Sequence, residues 1–558
     1  MRISAATGVV LAVAIAAGCS HAPLAGVRFK NQPPVWRVND RRDVPTPPKE
    51  REYYRGYYHT DSFFVRRLTR ILDVPAPTRA LDINSLDEVP DSTWFTNRIG
   101  VRDMSLEEIR RGPNVDPSPI NNLPWKITGA KVGGLSVGFQ IEDSKGDRYL
   151  MKFDQKAFPE LETGAHIIGH RIMYACGYNL AQDHVAYVKR SDITIAPDAK
   201  KKSLLGKKTP LTVEDLDRVL ATVAQSDDGT IRVLVSRYLS GKPIGPFARE
   251  GTREDDPNDL IPHERRRVLR GQVPIFAWLD HTDIQEDQSL DTYVEEDGVH
   301  FVKHNMLDFG KALGVMGFQN NWKTVGYTFR IDFGIALKNL LGLGILPREW
   351  DEVETPPYRG IGLYEVDHYN PGTWRENSPY WPHLDKDRSD AFWGSKLVMR
   401  FTREQLAAIV DEAHYTDPRA AAYMLETLIA RQRKTARYWF ARIAPLDRFT
   451  VEPAADGARV CFDDLMLTHQ LADVGRGTTY QLDAFDYDDR ATGWTRTVKA
   501  PATGGHVCVD GLVPATSRSG YTIVRVRVRR SARTLPILHL HLAQDEAGTL
   551  QVIGLRRD

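Results

Sequence analysis

Residues 278–288 read WLDHTDIQEDQ, and residues 304–310 read HNMLDFG. An apolar run ends in His281-Thr282-Asp283, a polar run follows, and a strand-like segment closes on Asp308-Phe309-Gly310. Two carboxylates set at the ends of apolar elements are suited to positioning a metal ion and phosphate oxygens. The reading turns on the polar run, because Gln285 and Gln288 stand in it beside Glu286 and Asp287.

Three features precede this pair of segments. The stretch GAKVGGLSVGF places Gly129, Gly133, Gly134 and Gly138 between two strand-like runs, where glycines let a backbone hairpin lie close over phosphates. Glycine-rich hairpins are also common as plain turns. Lys152 sits inside the apolar strand YLMKF. A lysine there either snorkels from a sheet edge or points inward at an anion. A helix then runs from Pro159 to Cys176, with Leu161, Ala165, Ile168 and Ile172 at helical spacing and Gly177 as its stop. Glu160 and Glu162 lie at its start, either one placed to hold Lys152.

Glycine hairpin, strand lysine, acidic helix, His-x-Asp loop and Asp-Phe-Gly, in that order, resemble the protein-kinase-like fold. The likeness is nearest to its divergent bacterial branch, the HipA-like and spore-coat CotH-like proteins, and to the phosphoinositide kinases. It covers about residues 125–445. The resemblance implies an α+β, bilobal architecture, with a β-rich N-lobe at 125–240 and a helical C-lobe at 241–446. It implies that Lys152 contacts phosphates covered by Gly133, Gly134 and Gly138, with Glu162 holding the lysine. Asp283 would orient or deprotonate an acceptor hydroxyl, His281 would be structural, and Asp308 with Gln288 would hold Mg²⁺. Phe309 would pack between the lobes. The implied cofactors are ATP and Mg²⁺, and the implied substrate carries a hydroxyl group. Gln288 stands where the pattern has a metal-binding Asn, and Gln285 where a Lys often faces the transferred phosphate. His166 falls nearest the expected lysine partner, one turn beyond Glu162. These departures leave open a kinase-fold protein that binds nucleotide or partner without turnover. A third reading is an anchored envelope protein working through its C-terminal domain.

A second Asp-Phe-Gly, Asp332-Phe333-Gly334, lies 49 residues beyond Asp283 against 25 for Asp308. Asp308 also closes a strand that follows the turn at Glu296-Asp297-Gly298, so the first copy is the expected one. His300 and His304, four apart on a strand, read as two histidines on a solvated face.

With Lys+Arg 74 against Asp+Glu 73, the balance gives no case for a nucleic-acid partner. The opening MRISAATGVVLAVAIAAGCS reads as a signal peptide at 1–19, its apolar run being too short to span a bilayer. Ala16-Ala17-Gly18-Cys19 resembles a lipobox and implies a lipoprotein anchored through Cys19 in the bacterial cell envelope, at the outer membrane facing the periplasm. A cleaved signal with an incidental Cys is the alternative. Residues 20–60 are rich in Pro and charge and read as a tether. Residues 61–124 form an N-terminal extension, in which the aromatic–basic stretch that begins REYYRGYY just before it packs on the following domain or rests on a membrane. Beyond 447, period-2 runs separated by turn signals predict an antiparallel β-sandwich at 447–558. Within it Cys461 and Cys508 are placed to bridge two sheets, in keeping with an oxidising compartment. Cys176 reads as a buried free thiol. Arg525, Arg527 and Arg529, with His539 and His541, read as a polar outer face or as an anion-binding surface.

Overall fold

A computed structural model describes residues 26–70, 78–131, 138–202, 208–316, 322–471, 477–516 and 518–558. The protein is mixed α+β, with several sheets. Among the described residues no helix is long and apolar enough to cross a membrane. Two compact units are formed, a larger one of 35–84 and 88–442 and a smaller one that includes 26–34, 85–87 and 443–558.

The larger unit is built on a seven-stranded sheet. Its strands are β1 (Trp125–Lys131), β2 (Gly138–Glu142), β3 (Arg148–Phe153), β4 (Asp183–Val188), β5 (Ile193–Lys202), β6 (Lys208–Pro210) and β7 (Ile231–Arg237). The order is β4-β7-β3-β2-β1-β5-β6, and β1 and β5 run parallel. Period-2 alternation points Tyr149, Met151 and Phe153 of β3 into one cluster with Trp125, Phe139 and Val233. Leu150 and Lys152 therefore face the other side. Leu234, paired with Lys152 across β7, belongs to the main core there.

The longer helices are α1 (Leu161–Cys176), α2 (Val213–Leu220), α3 (Gln272–Leu279), α4 (Phe333–Leu341), α5 (Arg388–Met399), α6 (Arg403–Asp411) and α7 (Pro418–Phe440). Helix α1 begins two residues after Pro159. Its first turn is set by Asp154, whose Oδ1 accepts from the backbone N–H groups of Glu162 (2.8 Å) and Thr163 (3.0 Å). Gly177 ends it at φ +128°, so close to Phe95 that a Cβ would lie 2.3 Å from the ring. Thr402 and Gln405 form the capping box of α6, and Asp417 caps α7.

A smaller sheet joins β8 (Lys242–Pro243), β9 (Ser289–Glu296) and β10 (Val299–Met306). Asp297 and Gly298 both have positive φ, as a two-residue type I′ hairpin loop requires. This hairpin positions the polar run, because β9 starts directly after Gln288 and β10 ends two residues before Asp308. Ser289 pairs with Met306, and the Leu307 N–H donates to the Gln288 carbonyl at 2.9 Å.

Residues 35–60 do not hang free as a tether. Val38 donates to the carbonyl of Asp91, Val44 to that of His300 and Arg51 to that of Ile244, and Tyr58 is buried. His304, expected on a solvated face, is buried as well. It stacks on Trp94 at 3.7 Å and meets Asp291 at 2.7 Å, while His300 stays partly exposed beside Asp43.

In the smaller unit one antiparallel sheet holds Leu446–Ala454, Gly457–Asp464 and His506–Leu512. The other runs Ala491–Lys499, Thr478–Phe485, Thr522–Arg530, Leu538–Gln544 and Leu550–Arg557, with Arg533–Thr534 folded onto Thr522–Arg530. Residues of both sheets, among them Val460, Phe462, Leu482, Val526 and Leu540, share one apolar cluster. Cys461 and Cys508 form a disulfide. They are directly paired residues of neighbouring strands, so the bridge lies within one sheet and not between two. Cys176 is a buried free thiol. On the outer face Arg525 pairs with Asp489 (2.7 Å) and Arg527 with Asp483 (2.6 Å). His541 is buried beside Phe29 and 3.0 Å from the Tyr521 hydroxyl.

Candidate functional site

Lys152 Nζ lies 2.8 Å from Asp308 Oδ1. The lysine comes from β3, which runs between β2 and β7 and is no sheet edge, so its stem follows the inward face. Gly138 is the register partner of Lys152 on β2. Asp308 takes a left-handed backbone at φ +56°, a conformation Asp tolerates better than most residues. The turn it makes sends Phe309 inward. Burial pushes the Lys152 ammonium toward neutrality, but the carboxylates of Asp308 and Glu162 raise it on balance. Burial likewise acts to raise Asp308, and Lys152 with His166 holds it well below the usual carboxylate range. Both groups are therefore charged at neutral pH. Glu162, the expected partner of Lys152, acts on it through its charge and also approaches Lys311 Nζ at 3.7 Å. A Cβ at Gly310 would come within 2.9 Å of it.

Helix α3 delivers the polar run. The Arg431 guanidinium of α7 donates to the carbonyls of Trp278 (3.1 Å) and Ala277 (2.8 Å), fixing the helix end where the dipole favours a cation. Asp280 turns the chain at φ +47° and accepts from Trp374 Nε1 at 2.8 Å. His281 is buried, its ring 4.9 Å from Phe276 and 5.5 Å from Phe309. Burial lowers it to about 4 although Asp283 and Asp308 both pull the other way, so the ring is neutral as it packs against the two phenyl rings. Both glutamines turn to Asp283: Gln285 Nε2 donates to Oδ1 at 2.7 Å and Gln288 Nε2 to Oδ2 at 3.4 Å.

Some of the site has no local sequence signal. Phe309 sits against the rings of His166 (5.9 Å), His170 (6.2 Å) and His281. Asp183 of β4 accepts from His166 Nε2 at 2.6 Å and Ser236 Oγ, and lies 3.5 Å from His170 Nε2. Arg330 approaches Asp283 Oδ1 at 3.9 Å, and Arg55 meets Asp287 Oδ2 at 3.0 Å. These contacts join segments far apart in the chain. Gly133, Gly134 and Cys19 lie outside the described residues.

The oxygens around the run suit a hard cation. Gln285 Oε1 and Asp287 Oδ1 are buried and find no hydrogen-bond partner, and oxygen donors of this kind with Asp308 are the ligands Mg²⁺ takes. Among the described residues, the one grouping of three or more His, Cys, Asp or Glu ligand atoms within 4.8 Å of one another is Cys461, His506 and Cys508. The disulfide there consumes both thiols. Asp332 of the second Asp-Phe-Gly caps α4 by accepting from Ile335 N–H at 3.2 Å, and Phe333 is 49% exposed. No protein-family model, curated protein or solved structure matches the chain.

Proposed function

We propose that the chain is a kinase-like phosphotransferase of the bacterial cell envelope, binding ATP with Mg²⁺ between a β-rich lobe and a helical lobe, with a C-terminal β-sandwich. The observation that carries the reading is the 2.8 Å pair of Lys152 and Asp308, formed by residues 156 positions apart in sequence, with Asp283 on the adjoining run. The two charges satisfy each other, and both side chains keep some exposure, 14% and 35%, so a ligand carrying phosphate and metal can take them up in place of the pair. Lys152 offers an ammonium to phosphate oxygens. Asp308 and the amide oxygen of Gln288 would hold Mg²⁺, which when bound neutralises phosphate charge. Asp283, held between two amides, accepts a hydrogen bond from the acceptor hydroxyl and takes its proton. The Cys461–Cys508 disulfide agrees with an exported protein, and lipidation at Cys19 would anchor it.

A second reading, nucleotide binding without turnover, draws on one observation. Both oxygens of Asp283 already accept from Gln285 and Gln288, which stabilises the carboxylate and weakens it as a base. The two readings part in one experiment. Wild-type protein gains thermal stability with MgATP under either reading, and loses that gain in Asp308→Ala. Phosphoryl transfer to water or to the protein itself, followed with γ-labelled ATP, then falls about 10²–10⁴-fold in Asp283→Asn if Asp283 is the base. Absence of any MgATP-dependent shift in the wild type sinks both.

A further inference from the structure

Residues 51–70 lie across the polar run. Arg51 pairs with Glu286 Oε2 at 2.7 Å, and four residues later Arg55 pairs with Asp287 Oδ2 at 3.0 Å. The segment is held from behind. Asp61 receives Arg66 Nε at 2.6 Å and the Arg249 guanidinium, and Glu250 receives Arg70 at 3.0 Å. Its aromatic side chains Tyr58 and Phe63 are buried, so its place is fixed by packing as well as charge.

The charge of the run explains what this placement is for. Asp283, Glu286 and Asp287 put three carboxylates into five residues, and the run from 283 to 288 holds no cation. A phosphoryl group brought to Asp283 meets that negative field at short range, where like charges repel strongly in a partly desolvated site. Gln285 cannot offset it, since its amide is turned onto Asp283. Glu286 is already answered by Arg51 and by the Arg249 backbone N–H at 3.0 Å. Arg55 is differently placed. Its side chain is 59% exposed and spends one nitrogen on one oxygen of Asp287, which leaves most of its donor fork open. Arg330, 44% exposed and 3.9 Å from Asp283, stands on the same carboxylate cluster.

We infer that Arg55, with Arg330 beside it, supplies the positive charge for the transferred phosphoryl group that the run 283–288 lacks, making segment 51–70 a working part of the site. A guanidinium is suited to this because it stays charged and its fork matches phosphate oxygens in pairs. The inference rests on the phosphotransferase reading, and a cation that faces the terminal phosphate has a specific signature: it distinguishes a nucleoside triphosphate from a diphosphate.

The test is calorimetric titration of the full chain with MgADP and with the non-hydrolysable β,γ-imido analogue of MgATP. Arg55→Ala is expected to weaken the analogue about 10-fold, the size of one charge-assisted hydrogen bond, and to leave ADP within about 2-fold. Arg55→Lys should recover part of the loss, because the charge remains while the fork is gone. The double variant Arg55→Ala/Arg330→Ala should lose more than either single one. Thermal unfolding of each variant without nucleotide checks that it is folded. Equal losses for both nucleotides, or no loss in Arg55→Ala while the wild type binds both, overturn this inference and leave the phosphotransferase reading intact. A wild type that binds neither nucleotide removes both.

Discussion

Asp308-Phe309-Gly310 and Asp332-Phe333-Gly334 carry the same three residues into different surroundings. The first copy follows β10, whose pairing with β9 sets it beside the end of the polar run. Its Asp faces Lys152, and its Phe, 1% exposed, is packed among three histidine rings. The second copy follows a loop. Its Asp caps α4, and its Phe stands 49% exposed. The tripeptide does not make its own environment. A strand of fixed register delivers one copy to a half-buried lysine, and without such a strand the other serves a helix end.

That contrast can be broken in order of expected effect. Phe309→Ala should cost about 3–5 kcal/mol of stability by opening a cavity in the core, while Phe333→Ala should stay within about 0.5 kcal/mol; urea unfolding monitored by circular dichroism compares them. If the two variants unfold alike, the packing difference is not what separates the copies. Asp308→Ala should weaken binding of MgADP by at least about 100-fold, as loss of a metal carboxylate does, and Asp332→Ala should leave it unchanged. The first site should also be acid-sensitive. Burial sets His281 at about 4 in the folded protein against an unfolded value of 6.5. The unfolded chain therefore takes up this proton first, and the stability His281 contributes is complete above about pH 6.5 and lost as pH falls through 4. Between pH 7 and 5 the loss should be on the order of 2 kcal/mol, and His281→Asn should flatten that slope of the unfolding free energy. Last, Asp332→Ala should cost about 1 kcal/mol or less through the lost cap, with α4 alone gaining amide exchange.

Much of this was legible along the chain, and the reason is local. The strand of Lys152, the helix stop at Gly177, the Thr402 capping box and the hairpin at Asp297-Gly298 are each set by neighbours within a few residues. What stayed hidden was set by distant partners. Asp183 gives no sign in sequence that it will bind His166 of helix α1, and Arg55 none that it will reach Asp287. The second partner of Glu162 was hidden for the same reason. Its position one turn from His166 is a helix property, whereas its approach to Lys311 depends on how the chain leaves β10. Residues 20–60 read as a tether because proline and charge dominate their composition, and composition does not register the backbone hydrogen bonds that Val38, Arg51 and Val44 make to Asp91, Ile244 and His300.

Val460 and Phe462 face the apolar cluster, as do Val507 and Val509 across from them, so Cys461 and Cys508 stand on the opposite face of their strands. Their bond covers none of the core. What it does is act as a checksum on strand alignment: the two sulfurs meet only when residue 461 lies opposite 508. A one-residue slip would turn every inward side chain of that strand outward and would also leave the thiols unable to close. Where an oxidant is present the correctly aligned sheet is thereby sealed chemically, and a misaligned one keeps its thiols free to separate and pair again.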